Sequence, residues 1–443
     1  MHNDWRDRKV GIKTIELESI QRGFDMKLKR TILAGLLISS LTLTGCQYLG
    51  NQGKTLPKPD DSILEAFQVS IVEQGNDFGF QTYKMLANNQ ENMMISPVSI
   101  GMALDMTYNG AIGETQEAMA EALKIQGIEL KTLNQNNQAL LYMLSNADSK
   151  VTLDIANSLW LQKGFELNPD FSDRIEVHYL ATLQSLNFSD PKSSVVINNW
   201  VAENTQGMIK EIVTPPIDPA TVMFLINAVS FKGEWTSPFD KDQTSDQSFK
   251  IADDQMVSVP MMFQSGSFDY LKTADFQALR MPYGEKDRLA MYLFLPNADT
   301  NLEQFQMQLN QANWKNWLTL FETGEGSVML PRFTMEYEKS LNQVLSDLGM
   351  GIAFEAGKAD FSDLAAAESV GHELYISEVK HKTYIQVDEV GTEAAAATSV
   401  EIGLTSMPVN DFELKFDRPF FYAISDKETG AILFMGSVWD PSK

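Results

Sequence analysis

The chain has 443 residues, 44% of them hydrophobic, the content of a globular protein with a sizeable core and not of a disordered tail. Its formal net charge is −24 with a pI near 4.5, so it offers no basic stripe to neutralise phosphates and nucleic acid is disfavoured as a partner. There is one cysteine, Cys46, which rules out an intramolecular disulfide and leaves the redox compartment unmarked.

The compartment signal lies at the N-terminus. Residues 1–25, with Trp5, Arg6, Arg8 and Lys9, fit no signal peptide; a start at Met26 and an unusual extension are both open. Met26-Lys27-Leu28-Lys29-Arg30 is a short basic segment, followed by an apolar run from Thr31 to Thr44 that is too short for a stable bilayer span. The run ends in Leu43-Thr44-Gly45-Cys46, which resembles the bacterial lipobox, a signal in which cleavage precedes a cysteine that then receives lipid. An ordinary signal peptide with an incidental cysteine is the alternative; the sole cysteine standing at this spot favours the lipobox. The expectation is a signal peptide over residues 26–45, lipid on Cys46, and a cell-envelope lipoprotein, periplasmic or outer-membrane attached, or released. Residues 1–45 carry eight Lys or Arg and five Asp or Glu, so their removal leaves −27. Residues 46–61 hold Gly50, Gly53, Pro57 and Pro59 without apolar periodicity and read as a tether.

From residue 62 to 443 there is no second composition break and no internal repeat, which predicts a single domain. Ser62 can cap a helix running through Phe67, Ile71 and Phe78 to Leu86. Ser99 to Tyr108 reads as a second helix, ended near Asn109-Gly110, and Ile197 to Val213 again shows helical spacing. Thr221 to Val229 and Arg288 to Leu295 are continuous apolar runs of the kind buried on both faces. Ser377 to Asp388 alternates instead, with Val379, His381, Thr383, Ile385 and Val387 on one face. The class is mixed α and β, with mostly antiparallel strands.

Residues 389–407, EVGTEAAAATSVEIGLTSM, carry a further parity pattern. One set, Thr392, Ala394, Ala396, Thr398, Val400, Ile402 and Leu404, is small or apolar throughout. The other, Glu393, Ala395, Ala397, Ser399, Glu401, Gly403 and Thr405, holds both charges. That is the pattern of a strand with one buried face, with Gly391 as a flexible point at the junction. On local grounds an amphipathic helix through the alanines and an ordinary hairpin strand remain open; the β-branched Thr398, Val400 and Ile402 and then Gly403 argue against a helix through the whole segment.

Glu389-Val390-Gly391-Thr392-Glu393, followed by Ala394, Ala395, Ala396, Ala397 and Thr398, resembles the hinge of inhibitory serpins. Other landmarks of that family follow in order: residues 92–99 (NMMISPVS), 198–213 (NNWVAENTQGMIKEIV), 227–239 (NAVSFKGEWTSPF), 331–349 (PRFTMEYEKSLNQVLSDLG), 359–364 (ADFSDL), 416–421 (FDRPFF) and 434–436 (FMG). The resemblance implies an α+β serpin fold, with three β-sheets, a large central sheet A, eight or nine helices around it and an exposed reactive-centre loop. It implies a suicide inhibitor of serine, or cysteine, proteases: the protease attacks the loop, forms an acyl-enzyme, and is trapped when the cut loop inserts into sheet A as a new strand. Ser96, Ser99, Asn227 and His381 match the family's shutter, and Trp235 its breach. Taking Gly391 as the fifteenth residue before the cut places P1 at Thr405 and P1′ at Ser406, with Leu404 and Met407 as alternatives. The implied partners are an elastase-, chymotrypsin- or subtilisin-like protease and, through the N-terminal lipid, a membrane; a monomer without cofactor or metal is expected.

An enzyme is the first rival. The four histidines, His2, His178, His372 and His381, form no HExxH, and there is neither a GxSxG nor a Gly-rich phosphate loop. A non-inhibitory serpin acting as a binding or transport module is the second; such members tend to carry bulky or charged residues on the inward hinge face.

Overall fold

The computed structural model of the chain describes residues 57–87, 90–252, 255–366, 373–392 and 410–443. The expected signal peptide, Cys46 and most of the expected tether lie outside the described residues.

The continuous apolar runs become inner strands, because a strand covered on both faces has no side open to water and admits a polar side chain only where it is hydrogen-bonded. Leu289–Pro296 is buried at all eight positions. It lies between Phe276–Pro282 and Phe420–Asp426 in a nine-stranded sheet. Ile432–Val438 and Met93–Ile95 extend that sheet on one side; Gln255–Lys272, Glu322–Pro331 and Phe412–Lys415 extend it on the other. Phe294 anchors an aromatic cluster against its face, with ring centroids 5.5 Å from both Phe276 and Phe305.

A six-stranded sheet carries the region of interest. Its order is Phe333–Ser340, Glu378–Val387, Gly391–Thr392, Met223–Glu234, Val151–Gln162 and Thr182–Leu186. We call Met223–Glu234 and Glu378–Val387 the two central strands. Helix Lys192–Asn204 covers one face, where Ile197 and Val201 pack with Ala156, Trp160, Phe224 and Ile226. Helix Pro97–Tyr108 lies behind the other face, its start facing the two central strands. Glu166–Leu167 and Ala365–Ala366 form a small third sheet. Three sheets and ten α-helices, the three shortest of four to six residues, thus make up the described residues. Most pairings are antiparallel, as expected; the exceptions are the two central strands, Val151–Gln162 with Thr182–Leu186, and Glu322–Pro331 with Phe412–Lys415.

Three element boundaries differ from the sequence reading. The helix expected from Ser62 to Leu86 is broken into Asp61–Glu65 and Val69–Leu86, so Ser62 is inside the first piece and caps nothing. The break is held where the Gln68 N–H donates to Asn136 Oδ1 at 2.7 Å, a bond to another helix that replaces an intrahelical one. The second helix begins two residues early, at Pro97, with Ser96 as its cap and proline at its first turn. The helix over the sheet ends at Asn204, not Val213, because Gln206 and Gly207 take positive φ values of 52° and 82°. Ile209, Ile212 and Val213 still reach the core, since Asn198 Oδ1 accepts from the Ile212 and Val213 N–H groups and seats the returning loop.

Candidate functional site: a seam between two central strands

Through their middle the two central strands are paired in parallel, from Glu378↔Phe224 to Tyr384↔Ser230. Alternation sends Val379, His381, Thr383, Ile385 and Val387 to the core face, all of them buried. His381 stands in register with Asn227, and Asn227 with Asn157 on the next strand. The register makes a polar rung across three strands. His381 Nε2 accepts from the Ser96 N–H at 3.2 Å, so its Nδ1 carries the proton and donates to Asn227 Oδ1 at 2.7 Å. Asn227 Nδ2 donates to Asn157 Oδ1 at 2.6 Å, to the Ser99 carbonyl at 3.0 Å and to Ser99 Oγ. Ser96 Oγ accepts from the Ser99 N–H at the helix start. Complete burial lowers the His381 pKa to about 3, so the ring is neutral, as the rung requires.

At their upper end the same strands part. By the register above, Val387 would face Gly233; instead each of the two pairs with Thr392. Gly391–Thr392 therefore lies between the central strands, antiparallel to both. A tight turn delivers it there: Asp388 N–H donates to the Gly391 carbonyl at 2.9 Å, and Asp388 Oδ1 accepts from the Val390 and Gly391 N–H groups. Glycine is required at 391 for close approach, because a Cβ would lie 2.0 Å from the Gly233 carbonyl oxygen. The sequence reading assigned Gly391 to flexibility; its position in the sheet gives a steric reason instead. Thr392 is fully buried, and its Oγ1 is 2.7 Å from the Tyr283 hydroxyl.

Trp235 and Glu389 brace this junction from either side. The Trp235 ring stacks on Tyr283 with centroids 4.3 Å apart and planes 13° apart, and its Nε1 donates to the Asp388 carbonyl at 2.9 Å. Its backbone N–H donates to the Val390 carbonyl, and that of Phe239 to the Glu389 carbonyl. The Glu389 carboxylate is buried, and its Oε1 accepts from Arg332 Nε at 2.6 Å and Thr244 Oγ1 at 2.5 Å. Burial pushes the Glu389 pKa up, but the bonds from Arg332 and Thr244 outweigh it and hold the carboxyl below the usual glutamate range.

The structure thus gathers the anticipated shutter residues Ser96, Ser99, Asn227 and His381 into one network. It gathers Glu389, Gly391, Thr392 and Trp235 into another, one strand-end higher. Glu393, Ala394, Ala395, Ala396, Ala397, Thr398 and the scissile candidates Leu404, Thr405, Ser406 and Met407 lie outside the described residues. Asn157, Tyr283, Arg332 and Thr244 were not singled out from sequence. Arg332 stands in the quoted 331–349 motif and was open to notice; nothing local marks Tyr283 or Asn157, which matter only through register. No group of three or more His, Cys, Asp or Glu is placed to hold a metal among the described residues.

The chain as a whole is similar to a wide group of known proteins. The family model described as Serpin (serine protease inhibitor) matches residues 73–441. An uncharacterized serpin-like protein of Thermococcus kodakarensis is 37% identical over 393 residues, spanning 87% of this chain and 90% of its own. Serpin B6 of Macaca fascicularis is 35% identical, spanning 84% and 99%. Among solved structures, the thermophilic serpin tengpin in its native state superposes with a TM-score of 0.78 at 34% identity, over 86% of this chain and 95% of that one. Human thyroxine-binding globulin complexed with its hormone superposes at 0.77 with 28% identity, over 86% and 100%.

Proposed function

The chain belongs to the serpin family, and from that premise we propose that it is an inhibitor that traps a serine protease, or a cysteine protease, by inserting its cleaved loop between the two central strands. The observation that carries the reading is the seat of Gly391–Thr392 between the two strands, from which such a strand would continue. Thr392 lies on the core face opposite Val387. Continued antiparallel pairing brings Ala394 opposite Ile385, Ala396 opposite Thr383 and Thr398 opposite His381, and alternation keeps that whole small, uncharged set inward. Glu393 and Glu401 fall outward. Insertion exchanges one parallel pairing for two antiparallel ones, and the antiparallel ladder is slightly the more stable per residue.

The chemistry of cleavage is the protease's own, with Thr405–Ser406 as the proposed bond and Leu404 and Met407 as alternative P1 residues. We also propose attachment to the cell envelope through lipid on Cys46, which supports a target met at or outside the membrane. The test is a protease panel with denaturing gels: a covalent complex stable to detergent is expected, with mass spectrometry of the released C-terminal peptide fixing P1.

The likeness to thyroxine-binding globulin supports a second reading, a serpin acting as a binding or transport module. Loop cleavage separates the two. A sharp rise in melting temperature is expected of the inhibitor; cleavage without a rise, and without a covalent complex, assigns the binding module.

A further inference from the structure

Strand Val151–Gln162 has two neighbours only along part of its length. Thr182–Leu186 pairs with residues 158–162, so residues 151–157 have a strand neighbour, Met223–Glu234, on one side alone. Parity shows which backbone groups face the open side. Glu234 N–H donates to the Lys150 carbonyl and Gln162 N–H to the Val222 carbonyl, while Lys163 N–H donates to the Leu186 carbonyl. Even-numbered residues therefore bond inward, and the N–H and C=O groups of Leu153, Ile155 and Asn157 point outward.

What they point into is a groove of about 560 Å³, within the range of peptide and ligand sites. Its two sides differ in chemistry. Leu141, Leu153, Ile155 and Tyr179 belong to the main core behind the sheet, whereas Trp200 lies on the opposite face with Asp154 and Glu203. Both recorded bonds to Asp154, from Gln206 Nε2 at 2.7 Å and Ser230 Oγ at 3.5 Å, go to Oδ2. No Lys, Arg or His lines the groove among the described residues, so two carboxylates stand there without a cation. Among the described residues, the lining also includes a buried polar group without a partner. Asn157, 4% exposed and part of the lining, has a buried Nδ2 with no partner among the described residues, its Oδ1 being engaged by Asn227.

We propose that this groove binds an extended basic peptide segment as an added edge strand. Main-chain groups of the peptide pair with Leu153, Ile155 and Asn157. Alternate apolar side chains pack on Leu141, Leu153 and Ile155, and the intervening Arg or Lys side chains meet Asp154 and Glu203. The site lies on the far side of the first central strand from the seam and does not depend on the loop's role.

The test uses the intact chain and a fluorescein-labelled, capped pentapeptide alternating valine with arginine, read by anisotropy. Saturable binding is expected. Asp154→Asn with Glu203→Gln weakens it about tenfold, as loss of charge-assisted hydrogen bonds does, and N-methylation of the peptide at alternate backbone positions removes it. Both variants are isosteric, so circular dichroism and melting should match the parent chain. Absence of saturable binding overturns the proposal, and so does binding that N-methylation leaves intact. Binding indifferent to the two carboxylate substitutions also overturns it, since the peptide then sits elsewhere, the gap between the central strands included.

Discussion

The middle and the upper end of the two central strands share a sheet, a register and a core face, yet they are held by different forces. In the middle the strands are joined by the rung His381–Asn227–Asn157, tied to helix Pro97–Tyr108 through Ser96 and Ser99. At the top they are already apart, with Thr392 between them and Trp235 stacked on Tyr283 beside it. Adjacent strands lie about 4.8 Å apart, so a strand slipped between two neighbours leaves them about 9.6 Å apart. Apolar side chains tolerate that move, because the incoming strand buries them again. A His–Asn hydrogen bond does not survive it. Parting the middle would therefore break this polar rung together with the backbone ladder from Glu378↔Phe224 to Tyr384↔Ser230, whereas at the top neither joins the two strands.

The comparison breaks most completely at Thr392. An arginine there places an unpaired charge in a fully buried site, at a cost of several kcal/mol. Thr392→Arg is expected to turn inhibitor into substrate, with cleaved chain replacing the covalent complex on a denaturing gel; an undiminished complex defeats the proposed mechanism. Ala396→Glu, on the same parity, should behave alike. Next in size is Trp235→Ala. It removes the stack on Tyr283 and the bond to the Asp388 carbonyl, and unfolding by denaturant should show a loss of ~3–5 kcal/mol. A loss under 1 kcal/mol would mean that the upper end is held by something other than this packing.

The middle of the seam is to be probed by pH. His381 has a folded pKa of about 3 against an ordinary value of ~6.5. Above pH 6.5 the ring is neutral in both states and its contribution is fully present. As pH falls from 6.5 toward 3 the unfolded chain binds a proton that the folded chain refuses, so stability declines by ~1.4 kcal/mol per pH unit. Between pH 7 and pH 5 the expected loss is about 2 kcal/mol. His381→Gln keeps an amide donor and acceptor at the rung and should remove that part of the slope. Parallel pH dependence in parent and variant would show that the histidine titrates normally.

How far the sequence reaches follows the same division. Strands with strong periodicity were legible, because burial on one face writes itself as alternation: Val379 to Val387 is such a case, while the set beginning at Thr392 runs outside the described residues after its first member. The seam's polar rung was legible only through family resemblance, since nothing within a few residues of Asn227 says that a histidine 154 positions later stands beside it. Asn157 and Tyr283 escaped altogether because each acts through a long-range contact. Helix ends misled where apolar spacing outlasted the helix. Ile209 and Ile212 keep helical intervals while the chain, turned by Gly207, reaches the core as a loop. Period reports burial, and burial does not require a helix.

The smallest expected effect is also the sharpest measure of where the seam begins. Tyr283 and Thr392 share one buried hydrogen bond of 2.7 Å, and such a bond contributes ~1 kcal/mol net. Tyr283→Phe keeps the ring on Trp235 and removes only the hydroxyl; Thr392→Val keeps shape and removes only Oγ1. In a double-mutant cycle the two changes should couple by about 1 kcal/mol in the uncleaved protein, because the second deletion has no bond left to break. Zero coupling would place Thr392 outside the sheet before cleavage and move the first step of insertion to after the cut. The cycle separates a hinge that is seated in advance from one that seats only under the protease, a distinction that the single variants cannot make because each also changes local polarity.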